Sequence, residues 1–308
     1  MQNINQQTLK SPINFEGIGL HTGSTSKVKI IPTNENTGIV FKRIDLNEKN
    51  IIRANLENVS CTKLCTTITN SSGASVSTIE HLMAALYITG IDNVLIETNS
   101  SELPIMDGSS KEFVEMIEKS GLKIQSAKRK FIKIIKKTEL HDGEKSISID
   151  ANEDGLNVEF ELSYSNTVIG SQKNSVSFYN EKLNDIYSSR TFCLFEDIEK
   201  IKKAGFAKGG SLDNAIVVKD DVVLNDKGLR NQKEFVNHKI LDLAGDFLLS
   251  GYRILGNVKC FHGGHYLSNI FLKKLFKDKS NYKEITFSNV EVLNKKFKSA
   301  ANRLVVNG

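Results

Sequence analysis

The stretch Phe235-Val-Asn-His-Lys-Ile-Leu-Asp-Leu-Ala-Gly-Asp246, running on into Phe247, Leu248 and Leu249, decides how this chain packs. At the pitch of an α-helix, His238, Asp242 and Asp246 follow one another at i, i+4 and i+8 and form a single stripe. Leu241, Gly245, Leu248 and Leu249 flank the stripe, and Val236, Ile240, Leu243 and Phe247 cover the other side. A helix apolar nearly all round is predicted to be buried. Two carboxylates and a histidine on such a helix need partners, because an unpaired buried charge is costly or shifts its pKa until it is neutral. A divalent metal is one such partner. A satisfied network, with Asp242 paired to an arginine elsewhere, is the other, and the helix alone leaves both open.

Outward from residues 233–249, helices are predicted near 79–89, 111–120, 181–187 and 195–204, and strands near 27–31, 38–42, 93–97, 131–138, 145–150 and 156–164. Gly90 and Gly121 supply the C-terminal ends of the first two helices. Strands then helices, twice over, predict an α+β fold of two layered domains, residues 1–125 and 126–308. The length agrees, since 308 residues exceed the usual single domain. A chain this long buries roughly 75% of its extended surface and needs no disulfide or structural metal. No residue-level repeat relates the two halves.

The composition excludes several classes. Lys and Arg number 41 against 36 Asp and Glu, a net +5 spread along the chain, with no motif or basic face for a nucleic acid. The basic stretch from Lys128 to Lys137 interleaves Phe131, Ile132, Ile134 and Ile135 and reads as the exposed face of a linker and first strand. Gly17-Ile-Gly-Leu-His-Thr-Gly23 looks like a dinucleotide fingerprint, but the strand-like run from Ser24 to Ile31 offers no helix N-terminus to a pyrophosphate. Cys61, Cys65, Cys193 and Cys260 contain no CxxC pair and suit reduced thiols in a cytosol. The first residues lack a signal pattern and no apolar run is long enough to span a bilayer, so a cytoplasmic protein without a transmembrane segment is expected.

A second histidine-bearing segment, Ser77-Thr-Ile-Glu-His-Leu-Met-Ala-Ala-Leu86, shifts the balance toward a metal. Ser77-x-x-Glu80 is a capping-box pattern; with Thr78 as the cap instead, Glu80 is freed to take a proton from water while His81 binds the metal. His81, His238 and Asp242 then make a three-ligand set with a fourth position left for water, suited to zinc, with iron possible on the same donors. In Cys260-Phe-His-Gly-Gly-His265 two glycines allow a tight loop that presents a histidine, with Asp246 as its orienting carboxylate. Ser189-Arg-Thr-Phe192 and Lys208 to Val217 read as a helix, a glycine turn and a strand, with nothing in them that demands function.

Taken together, the segments Gly17 to Gly23, Thr78-Ile-Glu-His-Leu82, Glu102-Leu-Pro-Ile-Met-Asp-Gly108, Arg190-Thr-Phe192, Gly209-Gly-Ser-Leu-Asp213, His238 to Asp246 and Gly264-His265 resemble the UDP-3-O-acyl-N-acetylglucosamine deacetylase (LpxC) family. These are zinc amidases of lipid A biosynthesis in Gram-negative bacteria. The resemblance implies a metal at the interface of two domains and a βαβ insert, about residues 194–220, that forms a passage for an acyl chain. It implies His81, His238 and Asp242 as zinc ligands, Glu80 as general base, His265 as a cationic or general-acid histidine held by Asp246, and Thr191 as a holder of the oxyanion. Phe192 and Lys239 would contact substrate, and Ile198, Leu212, Ala215 and Val217 would line the passage. The substrate is then an acylated UDP-amino sugar, and a monomer is expected. The chain departs from the family in carrying His262 and Gly263 where a lysine and serine are common, and with about thirty residues after the last recognisable block, near residue 275, the dehydratase domain of fused members is not expected.

Overall fold

The computed structural model describes residues 4–179 and 181–287; the last residues of the expected second domain, 288–308, lie outside the described part. The chain adopts an α+β fold of two domains with mixed sheets. The described helices are α1 (Glu80–Thr89), α2 (Lys111–Ser120), α3 (Asn184–Tyr187), α4 (Phe195–Lys203), α5 (Glu234–Leu248) and α6 (His265–Lys277). The helix expected over 181–187 is a single turn, and the other four expected helices form within a few residues of their predicted bounds.

In the first half a five-stranded sheet runs in the order Ile13–Ile18, Thr25–Pro32, Val94–Thr98, Ile39–Arg43, Ile51–Arg53. Its central strand Val94–Thr98 pairs antiparallel with Thr25–Pro32 and parallel with Ile39–Arg43. The segment after Gly23 is strand, so the glycine-rich Gly17 to Gly23 has no helix to present to a phosphate. In the second half Arg253–Phe261 organises a seven-stranded sheet, pairing parallel with Phe131–Ile134 and Leu156–Ser163 and antiparallel with Lys145–Ala151. Leu156, Val158, Phe160 and Leu162 alternate with less buried residues and turn one face to the core, as a two-residue period requires.

Between these layers α1 packs on α5. Glu80 to Tyr87 are all buried, and in α5 only Lys239 is less than fully buried. The helices meet backbone to backbone at Gly245, where an added Cβ would stand 2.2 Å from the Glu80 carbonyl oxygen. α1 ends at Gly90 in the left-handed region, φ 80°. A short unit of Phe192–Leu194, α4 and Ile216–Lys219, with the two strands parallel, makes a βαβ crossover, and Val222–Val223 adds an antiparallel edge.

The basic stretch at the junction corrects one expectation. Arg129 is only 2% exposed, not part of a surface face. Its guanidinium bonds Asp92 and the Gly90 carbonyl, while Arg253 donates to the carbonyls of Leu86, Tyr87 and Ile91. The carbonyls gathered at the C-terminal end of α1 carry partial negative charge and attract both cations.

Candidate active site and metal centre

α1 brings His81 and α5 brings His238 and Asp242 to one buried point, where one ligand atom from each lies within 4.8 Å of the others. Asp242 Oδ1 is 3.6 Å from His81 Nε2 and 3.4 Å from His238 Nε2, and the two imidazoles stand edge to face with centroids 5.0 Å apart. Two donors ~2.0–2.1 Å from a tetrahedral ion are themselves ~3.3 Å apart, so these gaps suit an ion better than direct hydrogen bonds. His238 Nδ1 faces the Ser189 carbonyl at 3.2 Å and donates to it, which leaves Nε2 with its lone pair. Asp242 Oδ2 accepts from Lys239 Nζ at 2.9 Å, whereas Asp242 Oδ1 and His81 Nδ1 are buried without a hydrogen-bond partner among the described residues. An orphaned carboxylate oxygen beside free imidazole nitrogens fits a divalent metal.

The protonation states agree. Burial pushes His238 down to about 3, Asp242 opposing and the Lys239 ammonium adding to the effect, so the ring is neutral. Burial works the other way on Asp242, but the Lys239 ammonium at 2.9 Å and the charged His265 outweigh it and hold its carboxyl well below the ordinary range. Neutral imidazole and carboxylate are the forms that bind metal.

Beside the ligand set, Glu80 stands at the start of α1. Neither capping arrangement expected from the sequence forms: the N-cap position is Ile79, with no side-chain cap bond. Ser77 donates to the Ser101 carbonyl, and Thr78 Oγ1 donates to Glu102 at 2.9 Å. Thr78 holds φ 56°, a left-handed conformation costly for a β-branched residue. The fully buried Glu102 offsets it, also accepting from the backbone N–H groups of His21 and Thr22. Glu80 is thereby left to face the site, its Oε1 3.8 Å from His265 Nε2. Burial raises its pKa, with the charge on His265 opposing.

His265 opens α6, and its Nδ1 bonds Asp246 Oδ2 at 2.9 Å. Burial alone would lower its pKa, but Asp246, Glu80 and Asp242 raise it to about 10 and keep the ring charged at neutral pH. His262 lies apart, accepting a long bond from the Ser163 N–H and packing on Tyr164, its pKa lowered by burial and by Lys145 and Lys239.

The segment Ser189 to Phe192 does more than the sequence indicated. Besides the Ser189 carbonyl on His238, Arg190 is fixed by a buried pair with Glu234. Thr191 is held by its backbone, donating to Gly108 and accepting from Ile216. Phe192 lies 6.3 Å from the His238 ring, with Lys239 Nζ 5.6 Å from its own centroid. Of the four residues expected along the passage, Ala215 and Val217 are buried, Ile198 is half-buried and Leu212 is 45% exposed. Sequence reasoning missed Ser189, Arg190, Glu234 and Thr66, which act through backbone groups or through contacts distant in sequence.

A buried His-His-Asp set able to hold a divalent metal, with a carboxylate and a charged imidazole beside it, marks the class of metal-dependent amidases. Comparison with known proteins narrows the class. Residues 6–277 match the family model described as LpxC, UDP-3-O-acyl N-acetylglycosamine deacetylase. Proteins named UDP-3-O-acyl-N-acetylglucosamine deacetylase are similar along nearly their whole length. The one from Geobacter sp. (strain M21) is 43% identical over 286 residues, covering 92% of this chain and 93% of the relative. That from Saccharophagus degradans is 42% identical over 296 residues (94% and 96%), and that from Idiomarina loihiensis 39% over 287 (92% and 94%). The chain belongs to the UDP-3-O-acyl-N-acetylglucosamine deacetylase family.

Proposed function

We infer that this enzyme hydrolyses the acetamide of UDP-3-O-(3-hydroxyacyl)-N-acetylglucosamine, a step of lipid A biosynthesis, with zinc as its metal. The carrying observation is the unpartnered Asp242 Oδ1 between His81 and His238, next to the Glu80 and His265 pair. Zinc held there would polarise the amide carbonyl and lower the pKa of water toward ~7. Glu80, its pKa raised by burial, takes a proton from the attacking water. The charged His265 and Thr191 would stabilise the oxygen on which negative charge develops, and a protonated side chain would return a proton to the departing glucosamine nitrogen. Acetate and a free amine result. Fe2+ suits the same imidazole and carboxylate donors.

The βαβ unit around α4 supplies the passage for the acyl chain, supported by the apolar strand Ile216–Lys219 and by Phe192 at its root. Phe192 and Lys239 meet the substrate where the passage opens beside His238. Residues 1–125 form the domain that carries Glu80 and His81, and residues from 126 the domain that carries the rest. The enzyme works as a cytoplasmic monomer, consistent with a metal set complete on one chain and with four free thiols. Among the described residues no helix is long and apolar enough to cross a membrane.

Metal analysis of the purified protein combined with acetate release from the acylated UDP-sugar tests the reading. One zinc per chain, turnover lost on chelation and restored by zinc, and reduced metal content in His81→Ala, His238→Ala and Asp242→Ala are expected. A protein that binds the sugar nucleotide without releasing acetate is a binding module, and full metal occupancy in all three variants refutes the ligand set.

A further inference from the structure

Thr66 lies outside the segments that carry the family resemblance, yet it bonds Glu80 directly and reaches His265 through Asp246. It precedes the short strand Thr67–Thr69 and is 1% exposed. Its backbone N–H donates to Glu80 Oε2 at 3.0 Å, and its hydroxyl donates to Asp246 Oδ1 at 2.8 Å. The other oxygen of Asp246 holds His265 Nδ1 at 2.9 Å, and His265 Nε2 faces Glu80 Oε1 at 3.8 Å. The four residues therefore close a ring.

We propose that Thr66 is a positioning residue for the hydrolysis, fixing Glu80 through its backbone and His265 through Asp246 in one mutual orientation. The two arms differ in kind. A backbone N–H cannot rotate away, so Glu80 Oε2 stays engaged and Oε1 is the oxygen turned toward His265. The hydroxyl gives Asp246 a donor on the oxygen that His265 does not use; with one donor on each oxygen the carboxylate plane is set, and the imidazole plane follows it. Thr66 is itself anchored, because its carbonyl accepts from the N–H of Ile79, the residue before Glu80. The base, the charged histidine and the start of α1 are thus referenced to one residue.

The inference rests on Glu80 and His265 as the proton-transfer pair, and the test separates the two. Zinc-loaded Thr66→Val, Thr66→Ser and Glu80→Gln are compared for kcat and KM on the acylated UDP-sugar, with zinc content and Tm measured alongside. Valine keeps the volume and the backbone arm and removes only the hydroxyl, so Thr66→Val lowers kcat ~10–100-fold with KM and zinc content unchanged. Thr66→Ser restores the hydroxyl and with it most of kcat. Wild-type kcat in Thr66→Val, a loss in Thr66→Ser as deep as that in Thr66→Val, or a loss that tracks missing zinc overturns the proposal. Inactive Glu80→Gln beside fully active Thr66→Val overturns the positioning role alone, whereas active Glu80→Gln removes the assignment of the base and the proposal with it.

Discussion

Replacing Gly245 by alanine tests whether the metal set depends on the close approach of α1 and α5. The new Cβ would stand 2.2 Å from the Glu80 carbonyl oxygen, 3.0 Å from its carbonyl carbon and 3.1 Å from the Ala84 nitrogen, all backbone atoms with no side chain to swing aside. Ordinary contact starts near 3.4 Å, so the helices must part by about 1.2 Å at this point. Overpacking of this kind costs ~1–3 kcal/mol, and alanine returns ~1 kcal/mol of helix propensity, leaving a net loss of ~0–2 kcal/mol. A chain of this size then loses only a few degrees in Tm. Catalysis is more sensitive, because Glu80 and His81 ride on α1 while His238 and Asp242 ride on α5. A displacement of ~1 Å in a reacting constellation costs on the order of 10²-fold. Gly245→Ala is therefore expected to fold, to bind zinc more weakly in a chelator competition, and to release acetate ~10²-fold more slowly at saturating zinc. Wild-type acetate release and zinc affinity would show that the two helices slide freely and that their approach does not set the ligand geometry.

Other perturbations read separate parts of the site. Glu80→Gln keeps an acceptor for the Thr66 N–H and relieves a buried charge, so turnover falls while zinc content holds and Tm does not drop; intact turnover would leave Glu80 a structural partner of the Thr66 N–H and refute its role as base. A bulky residue at Ala215 or Val217 penalises long acyl chains more than short ones, and an equal effect across a chain-length series would make the strand ordinary core. In the pH–rate profile the charged form of His265 is the active one; its pKa is raised to about 10, so activity is present below that value and lost as pH rises through it, with a bound cation drawing the limb downward. That alkaline limb disappears in His265→Ala along with ~10²-fold or more of the rate, while His262→Ala stays near wild type; a limb that survives without His265 refutes the assignment.

The fold is legible in the sequence wherever one short segment carries its own periodicity. The all-round apolar pattern of residues 235–249 marks a buried helix, and helical spacing alone puts His238, Asp242 and Asp246 on one side of it. The glycines at 90 and 121 mark real helix ends. Pairings between distant segments are not legible in this way. Glu80 matches a capping box, but the competing partner, the Thr66 N–H, lies 14 residues away and leaves no trace in local spacing. Arg129 sits within a run of lysines whose pattern is that of a surface, although Asp92 and the end of α1 draw it inside. Backbone acceptors such as the Ser189 carbonyl have no side-chain signature at all.

These long-range contacts have a common purpose along α1. His81, one of the three residues that can hold a metal, stands in its first turn, and for that set to form helix α5 must find it in register to within a fraction of an ångström. At the N-terminal end the register is held by Gly245 against the Glu80 carbonyl, by Thr66 against Ile79 and Glu80, and by Ser110 Oγ donating to the His81 carbonyl at 2.6 Å. At the other end Arg253 grips three carbonyls from the central strand of the second sheet, and Arg129 with Asp92 ties the junction to the same helix end. Two buried guanidiniums are expensive to desolvate, and burial lowers the pKa of Arg253 accordingly. An apolar contact would stabilise the interface without that cost, but it would not specify rotation about the helix axis. Directional bonds to individual carbonyls do specify it, and a metal ligand set shared between two helices requires that specification.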